Sequence, residues 1–544
     1  MKKNHATAAL LLLLMGFLHS PAFCKIYYVA TNGNDANTGT ISSPFLTIKR
    51  AQTSVVAGDT VYIRGGTYVM TESQIAQYSS IWAYVTLLNK SGSSGKRINY
   101  WAYPGEKPVF NYSNIKPAGY RIHAFQVTGS WIHIKGLEVT GVQVTITTHT
   151  QSECFENQGS NNIYERLSMH DGKAIGFYLT KGGNNLILNC DAWNNWDNVS
   201  EDQKGGNTDG FGFHPNNDGV GYTNNVFRGC RAWFNSDDGF DCINAFEAVT
   251  IENCWSFYNG YSTAFASLGD GNGFKIGGFG VSDFSNLPAT IPRHQVRFCL
   301  AIRNKASGFY ANHHLGGNNW FNNSAYNNAV NYNMLNRSAD HSADVPGYDH
   351  NLKNNLGYGA RSTEYSNLNF STSNVSTNYF NLSVTVSSAD FLSTDQSLLT
   401  AARQSNGNLP VNNFMRLVSS SDLINKGVNV GLSYNGSAPD LGCFESSVTT
   451  ARLAVTVNAE TSALSVFPNP VRGTIRANYI LSQPSDVQLS LYNAEGALIG
   501  ILMSRKENAG PHTFLFDDRH LKTAGVYFLK LIANGSAQTI PLVK

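Results

Sequence analysis

Four aspartates and one lysine in the middle of this 544-residue chain recur at matching positions around a repeated Gly-Phe dipeptide. Asp209 and Asp238 each precede a copy of the dipeptide, and Asp237 adjoins Asp238. Asp241 and Lys275 each follow a copy. Carboxylates that are crowded together repel one another unless they are protonated or share a cation. Because Ca²⁺ takes roughly six to eight oxygen ligands, whereas Mg²⁺ usually keeps most of its waters, the four aspartates predict a calcium site.

Lys275 has more than one interpretation. It could be a solvated turn residue or a counter-ion to Asp241. The aspartates also have a simpler interpretation as ordinary turn residues, because Asp-Gly pairs are common at turns. As a general base it would have to lose its proton, although an unperturbed lysine has a pKa of about 10.4. Calcium and partial burial disfavour the charged form, while the aspartates favour it, so base catalysis requires the metal to neutralise the carboxylates first. That chemistry fits β-elimination on a uronic acid, in which the proton beside a metal-bound carboxylate is removed and the bond to the 4-oxygen breaks.

The spacing of the Gly-Phe dipeptides predicts the elements that bring these residues together. The five copies lie 34, 29, 34 and 35 residues apart and begin at Gly176, Gly210, Gly239, Gly273 and Gly308. Short alternating segments between them, such as residues 185–189 and 249–253, are typical of half-buried strands. A repeat of this length predicts stacked coils of parallel strands about 4.8 Å apart. The fold class we expect is therefore all-β, a right-handed parallel β-helix with the phenylalanines stacked inside.

Two further columns follow from the repeat. Asparagines at one bend should form a hydrogen-bonded ladder, and they are Asn195, Asn235, Asn259, Asn304 and Asn328. A column of small, buried thiols should consist of Cys190, Cys230, Cys254 and Cys299. The chain has 8 cysteines, of which Cys24 belongs to the leader described next, and none lies in a Cys-x-x-Cys pair. This argues against a zinc or redox site, and the odd number beyond residue 24 leaves at least one thiol unpaired.

The two ends of the chain predict export and a second domain. Lys2 and Lys3, an apolar run over residues 8–18 and small residues before Lys25 form a secretory signal peptide over residues 1–24. The run is shorter than the roughly 18 apolar residues that a membrane span needs. We expect the β-helix over residues 25–445, a linker over 446–462 and a small C-terminal β-sandwich over 463–544.

Charged residues make up only 14% of the chain and the net charge is +2, which argues against a nucleic-acid partner.

The residues around the site resemble the family 9 polysaccharide lyases. The resemblance is carried by Asp209-Gly-Phe-Gly-Phe, Asp237-Asp238-Gly-Phe-Asp241 and Asn-Gly-Phe-Lys275-Ile-Gly-Gly, and it extends over roughly residues 27–445. It implies a β-helix of about ten coils, Ca²⁺ bound by the four aspartates, and Lys275 as the base. It also implies an acidic polysaccharide substrate, which is pectate (polygalacturonate) in most characterised members and rhamnogalacturonan I in some.

Further residues near the site in the register are candidates for substrate binding, although each could equally be a solvated surface residue. They are Arg231, Arg303, Lys305 and His313.

The last 80 or so residues resemble the C-terminal sorting domain of the type IX secretion system. The similar phrases are Phe467-Pro-Asn-Pro and Leu521-x-x-x-Gly-Val-Tyr. The resemblance implies that outer-membrane secretion machinery recognises this domain, and that the protein passes through the periplasm and outer membrane to be released or attached at the cell surface.

We therefore expect a secreted, monomeric, calcium-dependent pectate lyase. The nearest alternative is a rhamnogalacturonan I lyase that uses the same mechanism. A non-catalytic β-helix adhesin or glycan-binding surface protein is an alternative of another class, and it would have no special lysine beside the aspartates. A hydrolase on the same fold would need an isolated acid/base pair of carboxyl groups without Ca²⁺.

Overall fold

A computed structural model describes residues 24–280, 287–446 and 462–544, the last range with gaps at 468, 470, 472, 482, 494–496, 522, 524 and 534–535. The chain divides into two compact units, Met1–Val448 and Thr449–Lys544. The predicted signal peptide, apart from Cys24, and the predicted linker, apart from its two end residues, lie outside the described residues. Within the described part, no helix combines the length and the apolar character needed to cross a bilayer.

The first unit is a parallel β-helix of three sheets, here called A, B and C. Each complete coil contributes one strand to A, then to B, then to C, and the 10 strands of sheet B mark ten complete coils, as predicted. The 12 strands of sheet A are Ile26–Val29, Thr60–Ile63, Ile98–Ala102, Ile132–Lys135, Ile163–Glu165, Leu186–Leu188, Asn225–Arg228, Val249–Glu252, Gln295–Arg297, Asn319–Phe321, Asn351–Lys353 and Asn374–Ser376. The 10 strands of sheet B are Gly66–Val69, Pro108–Asn111, Glu138–Thr140, Ser168–His170, Asp191–Trp193, Arg231–Trp233, Trp255–Phe257, Leu300–Ile302, Ser324–Tyr326 and Leu356–Tyr358. The 11 strands of sheet C are Gln77–Ser79, Trp82–Leu88, Arg121–Val127, Glu153–Asn157, Ile175–Leu179, Phe211–Phe213, Phe240–Asp241, Phe274–Lys275, Ser307–Tyr310, Val330–Asn333 and Thr363–Ser366, of which the first is antiparallel to its neighbour.

Few other regular elements interrupt the coils. A helix over Ile48–Ser54 begins at Thr47, whose side chain accepts a hydrogen bond from the Arg50 amide. A short antiparallel hairpin pairs Leu335–Arg337 with Asp344–Pro346. Among the described residues of this unit, the 3₁₀ turns are Glu72–Gln74, Ser388–Asp390 and Gln396–Thr400.

The Gly-Phe dipeptide recurs because stacked coils approach too closely for a side chain at the glycine. A Cβ atom on Gly239 would lie 2.0 Å from Ser256 Oγ and 2.7 Å from the carbonyl oxygen of Gly273. The following phenylalanine points inward, since side chains alternate along a strand. The predicted stack is confirmed for four of its five members, with ring centroids 4.9 to 5.1 Å apart along Phe211, Phe240, Phe274 and Phe309. The ring of Phe177 instead makes edge contacts with Tyr164 and Phe227.

The asparagine ladder is also confirmed. Each side-chain amide donates to the Oδ1 atom of the next at 3.0 to 3.1 Å, and all five side chains are buried. The ladder satisfies polar groups that the bend would otherwise leave buried without partners. The four cysteines of the predicted column are fully buried, and all eight cysteines of the chain are free thiols.

The second unit is built from two antiparallel sheets. The three-stranded sheet contains Ser462–Phe467, Thr474–Leu481 and Gly510–Asp517. The four-stranded sheet contains Ser485–Tyr492, Leu498–Glu507, Val526–Ala533 and Ser536–Val543, and a 3₁₀ turn spans Asp518–His520. Alternating residues of both sheets, such as Ile475, Leu489 and Leu529, share one apolar core. This is the small β-sandwich that the sequence predicts.

Candidate functional site

The pairing register of sheet C brings the five predicted site residues together. Asp241 pairs with Lys275 in the next coil. Asp237 and Asp238 lie just before Asp241, and the pairing of the coils places Asp209 in line with Asp238 one coil earlier. All five side chains are buried, with residue exposures of 0% to 9%. Residues from three consecutive coils therefore suffice to form the cluster.

Three of the carboxylates converge on one point. Oxygens of Asp209, Asp237 and Asp238 lie within 4.8 Å of one another. The Oδ1 atom of each is fixed by a main-chain amide, from Asp238 to Asp209 at 3.1 Å, from Asp270 to Asp237 at 2.9 Å, and from Asn272 to Asp238 at 2.6 Å. Over the described residues, no hydrogen bond reaches the Oδ2 atom of any of the three. One oxygen of each carboxylate is thus used for orientation, and the other is left for a cation.

Lys275 lies at the edge of this group. Its Nζ atom is 3.0 Å from Asp238 Oδ2 and 3.2 Å from Asp241 Oδ2. Asp241 Oδ1 accepts a hydrogen bond from the Ile243 amide at 2.7 Å and lies 4.0 Å from His214 Nε2. Asp241 therefore stands on the lysine side of the cluster, so the predicted set of four aspartates is arranged as three that converge and one beside the lysine.

Burial and mutual repulsion dominate the electrostatics of the site. Burial raises the pKa of Asp209 and of Asp237 well above the usual range, and the neighbouring carboxylates raise both further. Burial also raises the pKa of Asp238, although Lys275 opposes that shift. For Lys275 burial lowers the pKa, but the aspartates, led by Asp238, outweigh it and raise the pKa well above the ordinary value. With only the lysine as counter-charge, the site holds protons tightly.

The donor set fits a hard divalent cation. Asp238 Oδ2 is buried and, apart from its ion pair with Lys275, has no hydrogen-bond partner. The three atoms that lie within 4.8 Å of one another are carboxylate oxygens, one each from Asp209, Asp237 and Asp238. Oxygen-rich, highly charged donor sets suit Ca²⁺ or Mg²⁺ better than zinc or copper. A bound divalent ion would also relieve the repulsion that raises these pKa values.

Arg231 does not belong to this cluster, and its predicted role is corrected. It lies in sheet B, is 5% exposed, and pairs with both oxygens of Asp191 at 2.9 Å. Its remaining donors reach the carbonyl oxygens of Leu399 and Ala401 at 3.2 and 2.9 Å. Because these bonds use four of the five N–H donors of the guanidinium and hold a distant chain segment against sheet B, Arg231 has a structural role.

Arg303 and Lys305 lie at the bend after sheet B, in the coil that follows Lys275. The Arg303 guanidinium stacks over the ring of Phe265 at 4.0 Å. The Lys305 ammonium donates to the carbonyl oxygens of Leu268 and Gly269 at 2.8 and 2.5 Å. Both cations therefore contact the loop that precedes Lys275. The sequence analysis predicted them as candidates for substrate binding or as solvated surface residues.

His313 is the candidate that the structure places beside the Lys275 column. Tyr310 pairs with Lys275 in the next coil, and its hydroxyl lies 3.3 Å from His313 Nδ1. His313 Nε2 is 3.4 Å from Asp344 in the hairpin. Burial raises the pKa of Tyr310 to about 12, so this hydroxyl is a neutral hydrogen-bonding group at the edge of the site.

A second buried cluster of titratable groups lies on sheet C and was missed by the sequence reasoning. His123 Nε2 is 3.2 Å from Glu153, and His123 Nδ1 is 2.8 Å from Glu156. Although burial lowers the pKa of His123, the two glutamates raise it to about 9. Burial raises the pKa of Glu153 to about 8. The pairing of Glu153 with Ile175 places this cluster two coils before Asp209.

Known proteins match most of the first unit. Residues 27–371 match a family model described as "Pel9A-like, right handed beta helix region", which agrees with the predicted hand. Pectate lyase L of Dickeya dadantii (strain 3937) is 34% identical over 430 residues, which cover 77% of this chain and 90% of that protein. A solved structure titled rhamnogalacturonan lyase is 49% identical with a TM-score of 0.71, covering 72% of this chain and 96% of that one. The crystal structure of pectate lyase Pel9A is 32% identical with a TM-score of 0.62, covering 77% and 96%.

The matched residues include Lys275 and the whole carboxylate cluster, whereas the family match ends before the second unit begins. These three proteins are lyases by name, and the two solved structures agree with this chain in fold over 96% of their own length. The chain therefore belongs to the family of Pel9A-like right-handed β-helix proteins, as one of its polysaccharide lyases.

Proposed function

We propose that this protein is a calcium-dependent pectate lyase that breaks uronic-acid glycosidic bonds by β-elimination. The observation that carries the proposal is a buried lysine, Lys275, whose Nζ atom lies 3.0 Å from one of three convergent carboxylates. A hydrolase would place two carboxyl groups on either side of the scissile bond, and an inert spacer has no need of a charged cluster that its own burial disfavours. The arrangement is suited to removing a proton beside a metal-bound carboxylate.

Asp209, Asp237 and Asp238 would hold calcium through carboxylate oxygens. When bound, the ion would supply a Lewis acid that draws charge from the uronate carboxylate and acidifies the proton on the adjacent ring carbon. The chain's own contribution is orientation, because the amides of Asp270 and Asn272 fix the Oδ1 atoms and so point the other oxygens inward.

Lys275 would accept the acidified proton on Nζ. The aspartates raise its pKa, so the lysine stays protonated while their charge is uncompensated. Once that charge is neutralised, burial remains as the main influence and lowers the pKa towards the range of a useful base. The electron pair of the broken C–H bond then forms a ring double bond, and the bond to the 4-oxygen breaks with its electron pair left on that oxygen. The 4-oxygen takes up a proton from water, and an unsaturated sugar is left at the new chain end.

Rhamnogalacturonan I is the second candidate substrate for the same mechanism. The identity of 49% to a structure titled rhamnogalacturonan lyase exceeds the 34% to pectate lyase L. Both polymers present a galacturonate carboxylate beside an acidic ring proton, so the carboxylate cluster and the lysine would serve either one. The sugar next to that galacturonate differs between the two polymers and must be distinguished outside the cluster.

Initial rates on the two polymers test the proposal. Polygalacturonate and rhamnogalacturonan I are incubated at equal uronate concentration, with calcium or with a chelator, and the ultraviolet absorbance of the unsaturated product is followed. We expect absorbance from polygalacturonate that the chelator abolishes. A faster reaction with rhamnogalacturonan I would assign the second substrate, and no absorbance from either polymer would refute the lyase.

We also propose that the protein is secreted through the periplasm and outer membrane, with residues 463–544 as a type IX sorting domain. The support is the Phe467-Pro-Asn-Pro phrase and the separate antiparallel unit that contains it. Full-length protein and a chain ending at residue 448 are compared in a host that has this secretion system. We expect only the full-length protein at the cell surface or in the medium, and equal export of both would contradict the role of the domain.

A further inference from the structure

The loop over residues 260–272, here called the donor loop, connects sheet B to the strand that carries Lys275. Its last residues supply three hydrogen bonds to the carboxylate cluster. The Asp270 amide donates to Asp237 Oδ1 at 2.9 Å, and Asn272 donates to Asp238 Oδ1 from its amide at 2.6 Å and from its side chain at 2.9 Å. The conformation of the donor loop therefore sets the orientation of two of the three convergent aspartates.

The two ends of the donor loop touch at a narrow neck. A Cβ atom on Gly260 would lie 2.6 Å from Gly271 Cα and 2.7 Å from Lys305 Cβ. Both glycines have positive φ, 77° and 75°, which other residues rarely adopt. The Leu268 amide closes the neck by donating to the Gly260 carbonyl at 2.9 Å, and the Ala306 amide donates to Gly271 at 2.9 Å. The loop is thus built against the backbone of residues 305–306.

Lys305 joins the neck to the last turn of the donor loop. Its ammonium donates to the carbonyl oxygens of Leu268 and Gly269, immediately before Asp270. Gly269 in turn packs on the residue before Asp237, since a Cβ atom there would lie 2.6 Å from the Ser236 carbonyl oxygen. Charge-assisted bonds of this kind are stronger than neutral ones. Two of the three N–H donors of this half-buried ammonium therefore bind the donor loop.

We propose that Lys305 is a positioning residue for the metal site. It keeps the donor loop closed, so that the amides of Asp270 and Asn272 hold Asp237 and Asp238 with their free oxygens turned toward the cation. The inference rests on the proposed function, because the site that is positioned is the calcium site of the lyase. Without the ammonium, the last turn of the loop loses two of its bonds and the carboxylates lose their fixed orientation.

Calcium binding by a Lys305→Met variant tests this role. Calcium is titrated into metal-free protein by calorimetry, and lyase rates are measured against calcium and against polymer. We expect calcium affinity to fall about 10-fold, the lower end of the roughly 10- to 100-fold that the loss of an outer-shell partner costs. At saturating calcium, kcat and the KM for polymer should stay within about twofold of wild type, because the lysine contacts neither the polymer nor the reacting atoms.

Two further variants complete the design. Lys305→Arg keeps the charge and the donors and should retain wild-type affinity within about threefold, a difference of less than 1 kcal/mol; if Lys305→Met does not fold, Lys305→Gln replaces it. Lys49→Met is the matched control, since Lys49 is exposed on the Ile48–Ser54 helix, and it should leave calcium binding unchanged.

The outcomes separate the inference from the proposed function. Unchanged calcium affinity in Lys305→Met would overturn the positioning role, and a raised KM for polymer in the same variant would return Lys305 to substrate binding. If wild-type protein itself does not bind calcium, the proposed function fails and the inference fails with it.

Discussion

Replacement of Lys275 by methionine distinguishes a base from a counter-ion. The ammonium lies 3.0 and 3.2 Å from oxygens of Asp238 and Asp241, so it competes with a metal ion for the same negative charge. Two unit charges about 4 Å apart interact by about 4 kcal/mol at an effective dielectric constant of about 20. That energy corresponds to an upper limit of about 1000-fold in affinity. We expect Lys275→Met to bind calcium at least about 10-fold more tightly than wild type, which calorimetry on metal-free protein would measure.

The same variant should be almost inactive. Loss of a positioned general base costs about 10²- to 10⁴-fold in rate, so kcat should fall by at least about 100-fold at saturating calcium, followed by the absorbance of the unsaturated product. Tighter calcium binding with lost turnover is the reverse of the pattern expected for Lys305→Met. A Lys275→Met enzyme within tenfold of the wild-type rate would refute the assignment of the base. Weaker calcium binding would show that the lysine supports the site and does not compete with the metal.

Three further outcomes follow from the contacts and pKa shifts. Asp237→Asn should weaken calcium binding yet raise the thermal midpoint of the metal-free protein by scanning calorimetry, because burial and Asp238 raise the pKa of Asp237 and so penalise its charged form. Arg231→Met should lower the free energy of unfolding by about 3 kcal/mol in denaturant titrations, the lower end of the range for a broken buried ion pair, because Arg403 still pairs with Asp191. The KM for polymer should not change. The folded-state pKa of His123, about 9, lies above its ordinary 6.5, so its stabilisation is complete below pH 6.5 and is lost as the pH rises through 9. Wild type should therefore lose stability relative to His123→Gln over that window, by at most about 1.4 kcal/mol per pH unit.

The coils and the carboxylate cluster could be predicted because both depend on the repeat. A glycine at which an added Cβ atom would lie 2.7 Å from the next coil, followed by a phenylalanine that stacks at 4.9 Å, gives a regular repeat in the sequence. Once the Gly-Phe dipeptide fixes the register, strand pairing places Asp241 beside Lys275. The residues that neighbour one another along this column can therefore be predicted from the repeat alone, without knowledge of contacts to other parts of the chain.

The His123 cluster was not predicted because the glycine of the Gly-Phe dipeptide is replaced in the earlier coils. Ala124 and Cys154 stand where glycine stands later, although Phe125 and Phe155 hold the phenylalanine position and stack on each other at 4.7 Å. A search for a small residue followed by phenylalanine would have found both copies, with His123 and Glu153 in the position before the small residue.

The roles of the candidate substrate residues depend on partners that no repeat encodes. Arg231 contacts carbonyl groups at positions 399 and 401, in a segment with no period of its own. Lys305 contacts a loop whose path follows from two glycines with positive φ. Register alone places such residues near a site, but it does not say which of their neighbours they bind.

The most direct test of the central claim compares two products in one sample. Each bond that a lyase breaks yields one unsaturated end and one reducing end, whereas a hydrolase yields reducing ends without ultraviolet absorbance. With polygalacturonate or rhamnogalacturonan I and calcium, we predict equal numbers of unsaturated and reducing ends, and neither after chelation. Reducing ends that appear without absorbance, or absorbance that persists in excess chelator, would contradict calcium-dependent β-elimination at the carboxylate cluster.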